Sequence, residues 1–259
     1  MDLGIAGKRA IVCASSQGIG LACALALAEE GVEVWLNGRD PGTLAAAVKL
    51  VSDRAVLPAH GVAADLMTDD GRRALLEACT EPDILVTNNR GPRPGRLEQL
   101  TNDDLAEALD LHFWAPVHLL RKVLDGMVNR RFGRIVNITS AVVTRPSVTM
   151  LASSGARAGL TSVMKAVSKD VAKHNVTINN LLPERINSGR QMQLAHLASE
   201  REGISFQEAR ERQAASVAAR RLGEPAEVGA ACAFLCAAQA SYISGNNLHV
   251  DGGSYIGLV

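Results

Sequence analysis

The segment CASSQGIG at residues 13–20 is the strongest indication of the fold. It continues the apolar run RAIVC (9–13) and leads into an apolar, helix-forming segment that ends at Gly31. A strand, a glycine-rich turn and a helix in this order begin a βαβ unit, which builds a parallel sheet. The glycines let the backbone approach a pyrophosphate, and the helix N-terminus offers unpaired N–H groups and a positive dipole end. We therefore interpret the stretch as a phosphate-binding loop.

Short apolar strands and longer helical segments alternate through the rest of the chain. Further strands are predicted at VEVWLN (32–37), before Asp65, and at ILVTN (84–88), RIVNIT (134–139), VTINNLL (176–182) and NLHV (247–250). Long helices are predicted over residues 102–129 and 151–173. No linker, repeat or low-complexity segment divides the 259 residues. We predict a single α/β domain over residues 1–259, with a doubly wound parallel sheet of the Rossmann type.

Composition argues against several classes of protein. The formal net charge is zero, so nothing favours nucleic acid or an anionic membrane surface as a partner. The N-terminal residues lack the features of a signal peptide, and no uncharged apolar run reaches the ~18 residues that cross a bilayer. The five cysteines form no CxxC pair. We expect a cytoplasmic protein with a small-molecule substrate and no metal site.

The end of the second strand indicates which dinucleotide binds. A protein specific for NAD usually places Asp or Glu there, on the adenosine ribose 2′-hydroxyl. This chain has Gly38 and then Arg39, so there is room for a 2′-phosphate and a guanidinium to bind it. We favour NADP(H), with NAD(H) as the alternative. Asp40 is a competing ribose ligand, but an N-cap before Pro41 explains it more simply.

With these features in place, the whole chain resembles the short-chain dehydrogenase/reductase family, especially its 3-oxoacyl-carrier-protein-reductase-like branch. The matching landmarks are the Asp65 turn, SSQGIG (15–20), NNRG (88–91), GRIVNITSA (133–141), VTINNLLP (176–183) and VDGG (250–253). Ala14 replaces the first glycine of the family's loop. Together, the loop and the resemblance imply a set of cofactor-binding residues: Ser15, Ser16, Gln17, Gly18, Ile19, Gly20, Arg39, Asp65, Leu66, Asn88, Asn89, Arg157, Pro183 and Ile186.

The resemblance also implies four catalytic positions, of which this chain keeps one. The family uses a Tyr as general acid or base, a Lys four residues later, a Ser that orients the carbonyl and an Asn that holds a water. Alignment without gaps from GRIVNITS places the Ser on Ser140. The Tyr position holds Ser153 and the Lys position holds Arg157. The Asn position holds His112, which equally fits a buried helix histidine.

These replacements leave three interpretations open. A serine is a shorter and weaker acid than a tyrosine, and an arginine donates hydrogen bonds but does not release its proton. The protein is an oxidoreductase whose proton comes from the two serines with a water, or from His112. Alternatively, it catalyses a non-redox reaction on the same scaffold. In the third interpretation it binds NADP(H) without turnover, as a sensor or a partner subunit.

Arginines accumulate in the segments that follow the fourth, fifth and sixth strands. Ligands bind at this edge of an open α/β sheet. An anionic substrate, a carboxylate or a phosphate, is therefore one hypothesis, and solvated loop arginines are the alternative. The candidate substrate residues are Arg90, Arg93, Arg145, Arg185 and Arg190.

Two further expectations follow from the resemblance. Residues 188–217 occupy the place of the family's substrate lid, and their polar, helical composition predicts a mobile cover. Relatives are commonly dimers or tetramers that join through the two long helices after the fourth and fifth strands and through the C-terminal strand. The corresponding faces at residues 105–123 and 151–171 are rich in Ala and Leu, so we expect a homodimer or homotetramer.

Overall fold

The computed structural model describes residues 2–258, and its centre is a seven-stranded sheet in which all pairs are parallel. The strand order is β3-β2-β1-β4-β5-β6-β7. All seven strands correspond to predicted ones, which confirms the predicted α/β fold. Their bounds are β1 Arg9–Val12, β2 Glu33–Gly38, β3 Ala59–Ala63, β4 Ile84–Thr87, β5 Gly133–Ile138, β6 Val176–Pro183 and β7 Asn247–Val250.

Helices connect the strands and cover both faces of the sheet. Asp40 caps one of them by accepting a hydrogen bond from the Thr43 N–H at 2.8 Å, as predicted. The predicted helix over residues 102–129 is divided by a π-helical turn at Asp110–Trp114. The helices are α1 Gly18–Glu29, α2 Pro41–Ser52, α3 Asp69–Ala78, α4 Asn102–Leu109, α5 Ala115–Asn129, α6 Leu151–Val171, α7 Gly189–Glu202, α8 Phe206–Ala215 and α9 Pro225–Cys236.

The two faces of the sheet bury separate apolar clusters. One cluster joins α1, α2 and α9 to the sheet and includes Leu27 and Cys232. The other joins α3, α5 and α6 to the opposite face and includes Leu85 and Leu120. Burial of each large aliphatic side chain contributes roughly 1.5–3 kcal/mol, so these layers hold the sheet rigidly. Strands covered on both faces read as continuous apolar runs, as in the wholly buried ILVT of β4.

The strand order creates the crevice that positions the site. The order reverses between β1 and β4, and ligands of such sheets bind outside the carboxyl ends of strands at this switch point. The CASSQGIG loop follows β1, and residues 88–91 follow β4. Among residues 2–258, no helix is long and apolar enough to cross a membrane.

Candidate active site

Internal hydrogen bonds fix the CASSQGIG turn in shape. Ser15 Oγ donates to the Val12 carbonyl at 2.7 Å and accepts from the Asn37 N–H at 3.0 Å. Asn37 Oδ1 accepts from the Ala14 N–H at 3.2 Å. Gly20 lies against the backbone of the turn, where a Cβ would come within 2.3 Å of the Ala14 oxygen. Ser15 and Gly20 therefore hold the loop in shape from the side that faces the protein interior.

The N-terminus of α1 is open toward the crevice. Gln17 occupies the N-cap position without a side-chain cap, and the first turn carries no acidic residue. Unpaired N–H groups and the positive end of the helix dipole bind anions well. This loop fits a dinucleotide pyrophosphate.

A cleft of about 970 Å³ extends from this loop along the carboxyl ends of the strands to α7 and α8. The chain as a whole has no net charge, but this cleft is strongly positive. Three acidic residues line it: Asp65, Glu184 and Glu202. They are outnumbered by eight arginines, namely Arg39, Arg90, Arg145, Arg157, Arg185, Arg190, Arg201 and Arg212. The cleft therefore suits ligands that carry several negative charges.

The adenosine end of the cleft carries the features expected for a 2′-phosphate. A Cβ on Gly38 would lie 3.0 Å from Ser16 Cβ, so a larger side chain would crowd the loop. Arg39 is exposed in the cleft, and no residue within 2–258 forms an ion pair with it. Asp65 Oδ1 accepts from the Met67 N–H at 3.0 Å, which leaves the other oxygen of this carboxylate for a ligand.

Three predicted catalytic residues come together at the other end of the cleft. Ser153 and Arg157 lie one turn apart on α6, and Arg157 Nη1 donates a hydrogen bond to Ser153 Oγ. Ser140 follows β5, where its Oγ accepts from the Val142 N–H at 3.4 Å. Arg157 Nε is buried and has no hydrogen-bond partner among the described residues. Burial, and then Arg190, lower the pKa of Arg157 to about 10, so the guanidinium stays charged at neutral pH.

His112 lies in the π-helical turn, behind this group. It is 4% exposed, does not line the cleft, and its Nε2 has no hydrogen-bond partner within residues 2–258. Burial first, and then the charge of Arg157, hold the pKa of His112 well below 6.5. The ring is therefore neutral at neutral pH and has no direct contact with a ligand in the cleft.

Three of the five candidate substrate arginines are neutralised by carboxylates. One of these three, Arg93, does not line the cleft and is therefore separated from the rest of the set. The three ion pairs are Arg90 with Glu107, Arg145 with Glu184, and Arg93 with Asp104 at 2.9 Å.

Arg185 and Arg190 line the cleft and form no ion pair within residues 2–258. Arg190 Nη2 donates to the Pro92 carbonyl at 2.7 Å, so the guanidinium of α7 reaches the loop after β4. The guanidinium of Arg190 lies so close to the loop that residue 91 has to be glycine. A Cβ on Gly91 would lie 2.7 Å from Arg190 Nε. Arg185 has a left-handed backbone with φ of +52°.

Sequence reasoning missed Ser188, the N-cap residue of α7. A Cβ on Gly18 of the phosphate loop would lie 3.7 Å from Ser188 Cβ. The Ser188 side chain makes no cap hydrogen bond, so its hydroxyl is available to a phosphate held by the loop. A serine before a predicted helix signals an N-cap, but only the folded chain brings it next to Gly18.

The predicted site residues therefore divide into two groups. Those outside the cleft are Ser15, Gly20, Arg93 and His112. Those that line it are Ser16, Gln17, Gly18, Ile19, Arg39, Asp65, Leu66, Asn88, Asn89, Arg90, Ser140, Arg145, Ser153, Arg157, Pro183, Arg185, Ile186 and Arg190.

Comparisons with known proteins agree with this architecture. The 3-oxoacyl-(acyl-carrier-protein) reductase FabG of Vibrio cholerae is 31% identical over 98% of this chain and 100% of its own length. The NADPH-dependent reductase BacG of Bacillus subtilis is 29% identical over 95% of this chain and 97% of its own. The crystal structure of L-sorbose reductase from Gluconobacter frateurii, complexed with NADPH and L-sorbose, has a TM-score of 0.94 at 27% identity, with 100% of both chains covered.

These relatives support the predicted NADP(H) cofactor, because two of them are described with NADPH. The family model described as enoyl-(acyl carrier protein) reductase matches residues 13–255, nearly the whole chain. The chain belongs to the short-chain dehydrogenase/reductase family.

Proposed function

We propose that the protein is an NADP(H)-dependent oxidoreductase that interconverts a carbonyl and a hydroxyl group on a small substrate. The observation that carries this proposal is that one cleft contains both a phosphate-binding loop and a cluster of hydrogen-bond donors. The phosphate loop and Arg39 lie at one end, and Ser140, Ser153 and Arg157 lie at the other. The NADPH-dependent reductases among the relatives support the choice of cofactor.

The residues at the second end suit a carbonyl that is being reduced. Bound NADPH supplies a hydride to the carbonyl carbon, and the oxygen takes a proton, so that the products are the alcohol and NADP⁺. The hydroxyls of Ser140 and Ser153 donate hydrogen bonds to this oxygen. Arg157, which contacts Ser153, stabilises the negative charge that develops there. The proton reaches the oxygen from water through a serine hydroxyl.

This mechanism relies on electrostatic stabilisation more than on a strong acid. In the family, the lysine both stabilises charge and relays a proton. Arg157 stays protonated, so it stabilises charge but does not relay a proton. Preorganised donors of this kind contribute about 10²–10³-fold each to turnover. Solvent has to reach the serines for the proton to be replaced.

Fluorescence titration with NADPH and NADH, followed by a panel of carbonyl and alcohol substrates, tests the proposal. We expect Ser153→Ala and Ser140→Ala to lower kcat about 100-fold or more with little change in the Kd for NADPH. Ser52→Ala is the control, because Ser52 is exposed at the end of α2, outside the cleft and outside the expected oligomer faces. Failure to bind either nucleotide contradicts the proposal.

A second candidate is an NADP(H)-binding sensor or partner subunit without turnover. The replacement of the family's Tyr and Lys by Ser153 and Arg157 favours it. Tight NADPH binding with no turnover on the whole panel supports this candidate.

We also propose that the protein is a homodimer or homotetramer with residues 188–217 as a movable cover of its cleft. The exposed side chains of Leu109 and Trp114 support self-association through the region of α4 and α5. Light scattering tests the assembly, and a monomer at micromolar concentration contradicts it. Limited proteolysis with and without NADPH tests the motion of the cover. We expect NADPH to protect residues 188–217 from cleavage.

A further inference from the structure

The charges of the cleft point to the class of substrate. Five of its eight arginines have evident roles. Arg90, Arg145, Arg201 and Arg212 form ion pairs with glutamates, and Arg39 lies at the adenosine end. Arg157, Arg185 and Arg190 form no ion pair within residues 2–258, although the charge of Glu184 acts on Arg185.

Two of these remaining arginines line the cleft from different helices. Arg157 projects from α6 beside Ser153, and Arg190 projects from α7 toward the loop after β4. They are close enough for the charge of Arg190 to disfavour the charged form of Arg157 and lower its pKa. Two partly buried cations without a counterion repel each other, and an anion between them removes this cost.

Arg157 also has unused hydrogen-bonding capacity. Its Nη1 donates to Ser153, whereas its Nε is buried without a partner. Its Nη2 makes no hydrogen bond within residues 2–258 and is not among the buried unpaired atoms, so this nitrogen is available to one oxygen of a carboxylate. Arg190 Nη2 donates a hydrogen bond to the Pro92 carbonyl at 2.7 Å, and Nη1 donates to Gln193 Oε1 at 2.9 Å. These two bonds fix the position of the guanidinium.

The phosphates of a dinucleotide have other partners. The open N-terminus of α1 and Ser188 surround the phosphate loop, and Arg39 serves the 2′-phosphate. Arg190 instead lies over Gly91 of the loop after β4. A second anionic group, distinct from the cofactor phosphates, is therefore the matching ligand for Arg157 and Arg190.

We infer that the substrate is a short oxo acid, or the corresponding hydroxy acid, whose carboxylate binds between Arg157 and Arg190. This inference rests on the proposed function. Its carbonyl oxygen lies against Ser140 and Ser153, so the reaction adds a hydride and a proton across C=O and leaves the carboxylate unchanged. Arg190 is then a specificity-determining residue, since it recognises the carboxylate and not the reacting oxygen.

Matched pairs of substrates test the inference. Pyruvate and acetoacetate carry the carboxylate, whereas methyl pyruvate and methyl acetoacetate keep the carbonyl without the charge. We expect Arg190→Met to raise KM for the acids about 10- to 100-fold, the effect of one charge-assisted hydrogen bond, and to change KM for the esters less than about twofold. Arg190→Lys, which keeps the charge, should recover part of the preference for acids.

The control variant is Arg96→Met. Arg96 is an exposed arginine in the same loop region and does not line the cleft, so its removal should leave both KM values unchanged. Equal loss for acids and esters in Arg190→Met overturns the inference, because it indicates a structural role. A 10-fold or greater loss of NADPH affinity in Arg190→Met also overturns it, because Arg190 then binds the cofactor.

A binding measurement separates this inference from the proposed function. Oxamate resembles a short oxo acid but is not reduced, and its binding to the NADPH complex is measured by calorimetry. Binding to the native protein that is lost in Arg190→Met supports the carboxylate site, even if no carbonyl compound is turned over. Absence of binding, or equal binding by both proteins, overturns the site, even if neutral ketones are reduced.

Discussion

Arg157 donates a hydrogen bond to Ser153, one turn earlier on α6. We predict from the sequence that these two residues stand at the family's lysine and tyrosine positions. A serine hydroxyl ends close to the helix, so it leaves the space that a phenol would fill. The guanidinium turns toward this space. In the proposed mechanism, a fixed cation and not a phenolic acid therefore faces the reacting oxygen.

The first prediction concerns this cation. Arg157→Met should lower kcat/KM about 10²–10³-fold, because it removes the charge that stabilises the developing oxyanion. Arg157→Lys should lose less, since it keeps the charge but not the planar fork. Lys49→Met, at an exposed position on α2 outside the cleft and the expected oligomer faces, is the control for loss of one charge. Equal activity of native protein and Arg157→Met in steady-state assays contradicts the prediction.

The second prediction concerns the choice between NADPH and NADH. Arg39→Met should raise the Kd for NADPH about 10- to 100-fold, because the 2′-phosphate loses a charge-assisted hydrogen bond. The Kd for NADH should hardly change. Arg54→Met is the control, since Arg54 is exposed and pairs with Glu29 at 3.7 Å outside the cleft. Fluorescence titration measures both constants, and equal weakening of both nucleotides argues against a phosphate contact.

The third prediction concerns the pH dependence of stability. Folding holds His112 neutral with a pKa well below 6.5, whereas the unfolded chain binds a proton near that pH. The unfolded state therefore binds more protons below pH 6.5, and the free energy of unfolding falls as the pH drops. The slope from this one group reaches about 1.4 kcal/mol per pH unit.

Urea unfolding at several pH values between about 7 and 5 measures this slope. His112→Asn removes the titrating ring and keeps a polar side chain, so its stability should depend less on pH over this range. If His112→Asn and the native protein have the same slope of unfolding free energy against pH, His112 does not contribute to the pH dependence of stability.

The fold could be predicted because its signals are local. The central strands β1 and β4 are buried and read as apolar runs, and β1, the glycine loop and α1 are consecutive in the chain. The N-cap at Asp40 was predictable for the same reason, since its partner Thr43 is three residues away. Local patterns therefore determined the sheet, the phosphate loop and the position of the crevice.

The contents of the site depend on tertiary contacts that no local pattern contains. Arg90 and Arg145 looked like free cations, but Glu107 and Glu184 from other segments neutralise them. We predict from the sequence that His112 occupies a catalytic position, yet its burial in a π-helical turn keeps it from the cleft. Which arginines remain unpaired, and so which can bind a substrate, follows only from the folded chain.

The last prediction concerns the strained residue of the phosphate loop. Ala14 has a left-handed backbone with φ of +46°, which disfavours any residue with a Cβ by roughly 1–2 kcal/mol. Ala14→Gly relieves this strain but increases the entropy of the unfolded chain, so the net gain in stability should be about 0.5–1 kcal/mol. For a chain of this size, the melting temperature should rise by about 1–4 °C.

Ala26→Gly provides the opposite control, because Ala26 lies within α1, where glycine costs about 1 kcal/mol relative to alanine. Thermal melts of the two variants, without nucleotide, should therefore shift in opposite directions from the native protein. A lower melting temperature for Ala14→Gly would mean that the Ala14 methyl group contributes more through packing than its backbone strain costs. The hydrogen bond from the Ala14 N–H to Asn37 is present in either case, so it does not account for a difference.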